Sequence, residues 1–230
     1  MLEELKQRVL RANLELVREG LVIQTFGNVS GIDRDRGLIV IKPSGVPYDD
    51  MKPEHMVVVS LESGKVVEGS LRPSTDLPTH AALYRAFPSI GGVVHTHSRH
   101  GTAWAQAGRE IPCFGTTHAD YFHGPVPVTE PLSAAEIEGD YEANAGAAII
   151  RRMEGLDPLG CPACLIAGHA PFCWGASVTE AAYHAVIVEE LAAMAWITVT
   201  INPGAQPISR ALRDKHHFRK HGPTATYGQK

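Results

Sequence analysis

Apolar residues at positions 2, 5, 9, 12 and 16 fall on one helical face, and Gly20 follows, so the pattern predicts a helix over 2–19. Leu21-Val22-Ile23 and Leu38-Ile39-Val40-Ile41 predict short strands. The runs 56–60 and 65–68 flank Glu62-Ser63-Gly64 and predict a hairpin. A helix is expected over 81–87, a strand over 91–98 and a further helical stretch near 103–107. Ser133-Ala134-Ala135-Glu136 is a capping box opening a helical region toward Met153. Leu165-Ile166-Ala167 reads as a strand ended by Gly168. Ser177-Val178-Thr179-Glu180 caps an alanine-rich helix to about position 197, and a last helix is expected over 209–221. The tail from Gly222 reads as frayed. No repeat, low-complexity segment or linker interrupts the pattern, so 1–230 is expected to be one domain. Helices interleave with strands and the hairpin needs antiparallel pairing. The expected fold is α/β, a three-layer α/β/α domain with a mixed, largely antiparallel central sheet.

Composition narrows the partners more than the fold. Hydrophobic residues make up 44% of the chain and charged residues 20%, enough apolar material for a real core. The formal net charge is -4 and no lysine- or arginine-rich run occurs, so no nucleic-acid partner is expected. No apolar run reads as membrane-spanning, so no membrane partner is expected either. Met1-Leu2-Glu3-Glu4-Leu5-Lys6 is acidic and amphipathic, unlike a signal peptide, which makes the cytoplasm the expected location. Four cysteines without a signal do not suggest a disulfide framework. Cys161-Pro162-Ala163-Cys164 has no second pair to complete a zinc knuckle and runs into an apolar strand, so its thiols read as incidental.

Candidate chemistry centres on Val94-His95-Thr96-His97. Side chains alternate along a strand, so His95 and His97 project the same way and can chelate one metal; the alternative is two histidines on a solvated face. His169, at a strand end, is well placed as a third ligand, with His80, His100, His118 and His123 as competitors by spacing. Lys42-Pro43-Ser44-Gly45 combines a cation, a hydroxyl and a glycine, a loop able to receive a phosphate. Ser74 and Thr75 precede a helix and can cap it or bind an anion there. Gly27-Asn28 reads as a turn, and the loop 116–121 is dense in groups that move protons.

These blocks occur together in one order. Gly27-Asn28-Val29-Ser30, Lys42-Pro43-Ser44-Gly45-Val46, Pro73-Ser74-Thr75-Asp76, His95-Thr96-His97-Ser98-Arg99-His100, Thr116-Thr117-His118-Ala119-Asp120-Tyr121, His169 with Trp174-Gly175, and Asp214-Lys215-His216 through Tyr227-Gly228-Gln229 resemble the class II aldolase/adducin-head family along the whole chain. The resemblance implies a homotetramer with active sites between subunits and a divalent metal, zinc first, one per subunit, on His95, His97 and His169. Asp76 matches a position on or near that metal. Asn28, Lys42, Ser44, Gly45, Ser74 and Thr75 match positions that hold substrate and its phosphate. Asp120 and Tyr227 match an acid/base pair, one or both supplied by a neighbouring subunit. The implied activity is that of an isomerase inverting C4 of L-ribulose 5-phosphate, in sugar breakdown such as that of arabinose. A sugar-phosphate aldolase and a metal-free scaffold are the alternatives within the resemblance. Its aldolases carry glutamate where this chain has Asp76. Two further departures are Thr75, where serine is usual, and Ala170 and Cys173 in the turn after His169.

Overall fold

The computed structural model describes residues 2–221 and 225–226. Helix α1, Leu2–Arg18, buries Leu5, Val9, Ala12 and Leu16, the predicted apolar face. Its buried Asn13 reaches into the sheet, where Oδ1 accepts from the Val29 N–H at 3.0 Å. Strands β1 (Asn28–Asp33), β2 (Leu38–Ile41), β3 (Val57–Ser60) and β4 (Val66–Glu68) follow as an antiparallel meander. Helix α2 (Leu77–Ala86) then leads to β5 (Gly92–His95) and α3 (Arg99–Gln106). The short helices α4 (Thr116–Ala119) and α5 (Ala134–Glu138) precede α6, Tyr141–Arg152. Strands β6 (Ala163–Leu165) and β7 (Pro171–Gly175) and helices α7 (Val178–Ile201) and α8 (Arg210–Lys220) complete the described fold.

The seven strands form one sheet in the order β4-β3-β2-β1-β5-β7-β6. Every ladder between these strands is antiparallel; the parallel element of the expected mixed sheet is reduced to an isolated bridge, Val128 with Leu165. Adjacent residues of β1 show the layering. Ser30 faces α2, where its hydroxyl meets His80 Nδ1 at 2.7 Å and Tyr84 Oη at 2.9 Å. Gly31 faces the opposite way, toward Leu5, Val9 and Val178 of α1 and α7. Helices α2 and α6 therefore cover one face, and α1 and α7 the other.

Several expected elements change. Leu21-Val22-Ile23 forms no strand: Leu21 and Val22 are buried, but as part of an irregular connection. Asn28, expected in a turn, begins β1. Residues 116–119 form a helical turn instead of a loop. The helical region after Ser133 keeps its capping box but breaks at Gly139-Asp140 into α5 and α6. By length and composition α7 is apolar enough to cross a membrane, contrary to the reading of the sequence. Its buried line, including Ala181, Ala185, Val188 and Ala192, covers the sheet, and its His184 Nδ1 meets the Trp174 carbonyl at 2.7 Å.

Candidate active site

Three histidines converge where β5 meets the β6–β7 turn. His95 ends β5, paired with Asn28 of β1 on one side and Phe172 of β7 on the other. Its ring stacks on Phe172, with centroids 4.2 Å apart. Its Nδ1 lies 3.0 Å from the Pro171 carbonyl. A carbonyl only accepts, so Nδ1 carries the proton and Nε2 presents a lone pair. His97, just past the strand, brings its Nε2 to 3.1 Å from that atom. His169 arrives from the β6–β7 turn behind Gly168, whose φ of 74° is left-handed, and its Nε2 is 3.2 Å from His97 Nε2.

Burial pushes the His95 pKa down to about 3, and burial likewise lowers those of His97 and His169. All three are neutral at pH 7, the form that binds metal. Nitrogens bound to one tetrahedral zinc at 2.0–2.1 Å stand about 3.3 Å apart, close to the spacing here. Among the described residues, this is the group of three or more ligating side chains close enough to hold one ion. The donor set therefore fits a divalent metal. The competing histidines are engaged elsewhere: His80 with Ser30, His100 with Glu189, His118 with the Gly124 carbonyl and His123 with Asp214.

The three rings open onto a polar cleft of about 410 Å³ that also contains Asn28, Lys42, Ser44, Gly45, Ser74, Thr75 and Asp76. Two loops form its wall. The Ser44 N–H donates to the Arg72 carbonyl and the Ser74 N–H to the Lys42 carbonyl, each at 2.9 Å. Gly45 adopts a φ of 71°, which a side chain would strain. Gly27 approaches so closely that a Cβ would sit 2.9 Å from the His95 carbonyl. Lys42 is buried, with its ammonium 3.3 Å from the Thr25 and Pro43 carbonyls and 5.0 Å from the centre of the Tyr48 ring. Burial lowers its pKa, against the pull of Asp76. Its hydrogen-bond partners are neutral carbonyls, and Asp76 acts on it only through space, a setting for an anion.

Asp76 lies in the same cleft but outside the three-nitrogen group. Asn28 Nδ2 donates to its Oδ2 at 2.6 Å. Burial pushes this carboxyl up, but His95, His80 and the Asn28 bond outweigh it and hold the pKa below the usual range. Asn28 Oδ1 is buried without a hydrogen-bond partner.

Asp120 is elsewhere in the chain. At the end of α4, its carboxylate accepts from Arg219 Nε and Nη2 at 3.2 and 2.9 Å and meets His216 Nδ1 at 3.1 Å. Burial works against its ionisation, but the hydrogen bonds from Arg219 and His216 and the charges of Lys220 and Arg219 lower its pKa. It is not among the cleft residues, and Tyr227 lies outside the described residues. The cleft contains two residues that the sequence reading passed over, Tyr141 and Glu142 at the start of α6. The Tyr141 hydroxyl is 3.1 Å from His169 Nδ1. Cys173 neighbours Phe172 on β7 and so points to the other face, away from the histidines; burial raises its pKa, and the thiol is part of the core.

Comparison with known proteins places this geometry. A profile for the Class II Aldolase and Adducin N-terminal domain matches residues 7–196. The L-ribulose-5-phosphate 4-epimerase UlaF of Salmonella paratyphi A (strain ATCC 9150 / SARB42) is 56% identical over 229 residues, covering 100% of both chains. The protein of the same name from Salmonella typhi matches to the same extent. Among solved structures, an L-fuculose 1-phosphate aldolase aligns with a TM-score of 0.79 at 24% identity, over 94% of this chain and 95% of that one. The L-fuculose 1-phosphate aldolase from Glaciozyma antarctica PI12 gives 0.77 at 17% identity, over 97% and 84%. At these identities the two structures speak to the fold alone.

Proposed function

The chain belongs to the class II aldolase and adducin family, and from that premise we propose that it interconverts L-ribulose 5-phosphate and D-xylulose 5-phosphate by inverting C4. The observation that carries this reading is the convergence of His95, His97 and His169 in one cleft with Lys42 and the Ser44 and Ser74 loops. A metal-free scaffold has no need of three neutral imidazoles directed at one point. A metal held by them, zinc first and other divalent ions next, supplies a Lewis acid for the carbonyl end of the substrate.

The chemistry follows from the substrate. The hydrogen on C4 is not next to the carbonyl and is not acidic. The C3–C4 bond, in contrast, can break as a retro-aldol. The C4 hydroxyl gives up its proton, the C3–C4 electron pair moves onto the carbonyl-bearing fragment, and glycolaldehyde phosphate remains. Turning that aldehyde and re-forming the bond inverts C4 with no net loss of atoms or electrons.

Lys42, Ser44 and Gly45, facing Ser74 and Thr75, hold the phosphate so that the aldehyde fragment turns without leaving. Asn28 helps to hold the substrate and keeps Asp76 beside the histidines, on or near the metal. Asp120 and Tyr227 take up and return the C4 proton, one on each face. Because Asp120 directly follows α4 and is not in its own chain's cleft, we assign it to the cleft of a neighbouring subunit in a homotetramer. We further read 1–230 as one domain, acting in the cytoplasm in pentose breakdown such as that of arabinose, without nucleic-acid or membrane partners.

The test is an epimerase assay on protein stripped of metal and reloaded. Zinc-restored formation of D-xylulose 5-phosphate is the expected result. Folded, zinc-loaded protein that cleaves a sugar phosphate without inverting it would make the chain an aldolase, and protein that binds no metal would make it a scaffold.

A further inference from the structure

The first turn of α6 is anchored more firmly than a helix end requires. Asp140 caps it, accepting from the Ala143 N–H at 3.2 Å. From α2, Thr79 Oγ1 donates to the Glu142 carbonyl at 2.6 Å. Further along, Gly146 lets the two helices close: a Cβ there would stand 2.8 Å from Ala82 Cβ and 3.3 Å from Thr79 Cα. The residue that this anchored turn brings to the cleft is Tyr141, with its hydroxyl 3.1 Å from His169 Nδ1.

We propose that Tyr141 is a positioning residue for the metal site: its hydroxyl holds His169 in the tautomer and orientation that present Nε2 to the metal, and metal binding turns that hydroxyl into a donor toward the substrate. The proposal deepens the epimerase reading and rests on it. The three imidazoles differ in what fixes their tautomers. His95 Nδ1 faces a carbonyl and must carry its proton whether or not a metal is bound. His169 Nδ1 faces a hydroxyl, which can donate or accept, so its proton can sit on either ring nitrogen. Only the form protonated on Nδ1 leaves the Nε2 lone pair free. A cation on Nε2 therefore sets the direction of the bond: Nδ1–H donates to Tyr141 Oη. The Tyr141 proton must then find an acceptor in the cleft, and the oxygens of a bound sugar phosphate are of that class. A ligand histidine whose outer nitrogen bonds a fixed partner is the usual way a protein orients a metal ligand. Here the anchoring of α6 makes the partner fixed.

The experiment compares wild type with Tyr141→Phe, which keeps the ring and removes the hydroxyl. Both are stripped with a chelator, then titrated with zinc against a chromophoric competitor and with Co2+ while the visible spectrum is recorded. Wild type is expected to bind one ion per chain. Tyr141→Phe is expected to bind it about 10–100-fold more weakly, with a changed cobalt spectrum and an unchanged metal-free melting temperature. At saturating metal its KM for L-ribulose 5-phosphate is expected to rise about 2–10-fold, the worth of one hydrogen bond. Equal affinity in the two proteins, with epimerase activity intact in wild type, overturns the role of Tyr141 and leaves the functional reading standing. Weaker binding accompanied by a lowered metal-free melting temperature assigns the effect to folding and also overturns it. An unchanged KM at saturating metal overturns the donor role. Failure of wild type to bind metal overturns the proposal and the functional reading together.

Discussion

Asp76 is one methylene shorter than glutamate, and under the proposed function that difference in reach is expected to decide between inversion and cleavage. Its carboxylate is tied to Asn28 Nδ2 at 2.6 Å and stands beside the three imidazoles without joining them. Held there, it is expected to protonate the carbon of the cleaved fragment poorly. Protonating that carbon would end the reaction as an aldol cleavage, whereas leaving it unprotonated lets the fragments recombine. Asp76→Glu is therefore expected to release more glycolaldehyde phosphate per turnover than wild type while epimerisation slows. Trapping the aldehyde with a reducing coupling enzyme measures the ratio, and a ratio no higher than that of wild type would remove Asp76 as the determinant.

At the scale of elements, β5 has to reach the cleft from beneath α7, and Gly92 permits the approach. A Cβ there would lie 2.6 Å from Val178 Cα and 2.8 Å from the Ser177 carbonyl, both backbone atoms that cannot turn aside. Gly92→Ala is expected to cost about 1–3 kcal/mol in urea unfolding and to weaken metal binding by displacing His95. Gly115→Ala, with nothing within 4 Å and an extended φ of -146°, is the matched control, expected to fall within about 0.5 kcal/mol of wild type. Why glycine stands at 92 is invisible in the sequence, because it depends on a helix more than 80 residues later. The same reason separates what could be read from what could not. Helix α1, the β3–β4 hairpin and the capping box of α5 rest on local periodicity and turn chemistry, and they form as read; at α7 Ser177 caps the helix, but the Glu180 carboxylate takes the Ala176 N–H instead of closing a capping box. Strand β7 begins with Pro171 and carries no alternation because both its faces are buried, so its sequence gave no period to detect. Leu21-Val22-Ile23 had the composition of a strand but found no ladder. His169 was one of five candidates by spacing, and only three-dimensional closure selects it. Tyr141 had no signal at all: it lies 28 residues from the histidine it meets.

The whole molecule should be sensitive to acid for a reason separate from the metal. His80 and His118 are buried, and burial pushes the pKa of each from 6.5 down to about 4. On acidification the unfolded chain takes up these protons first, so stability falls between pH 6.5 and 4. The gap corresponds to about 3 kcal/mol for each fully buried ring. Urea midpoints of metal-free protein across that range should fall steeply, and His118→Gln, which keeps a donor near the Gly124 carbonyl, should flatten the slope. The assembly offers a sharper test. In one chain, Asp120 is bound to Arg219 and His216 of α8 and is absent from the cleft that holds the three histidines. If it serves a neighbouring cleft, two defects can complement each other. Asp120→Asn lacks the acid/base group but has intact metal ligands, and His97→Asn has the reverse. Each alone should be nearly inactive. Co-refolded in equal amounts, the two variants should make some clefts that draw their ligands from one chain and Asp120 from another. Random assembly with one shared contact per site gives about one site in four fully intact, and so about a quarter of wild-type activity. If ligands and Asp120 act within one chain, every site in the mixture carries a defect and activity stays at the level of the single variants. Recovery toward a quarter would show that the cleft is completed only on assembly.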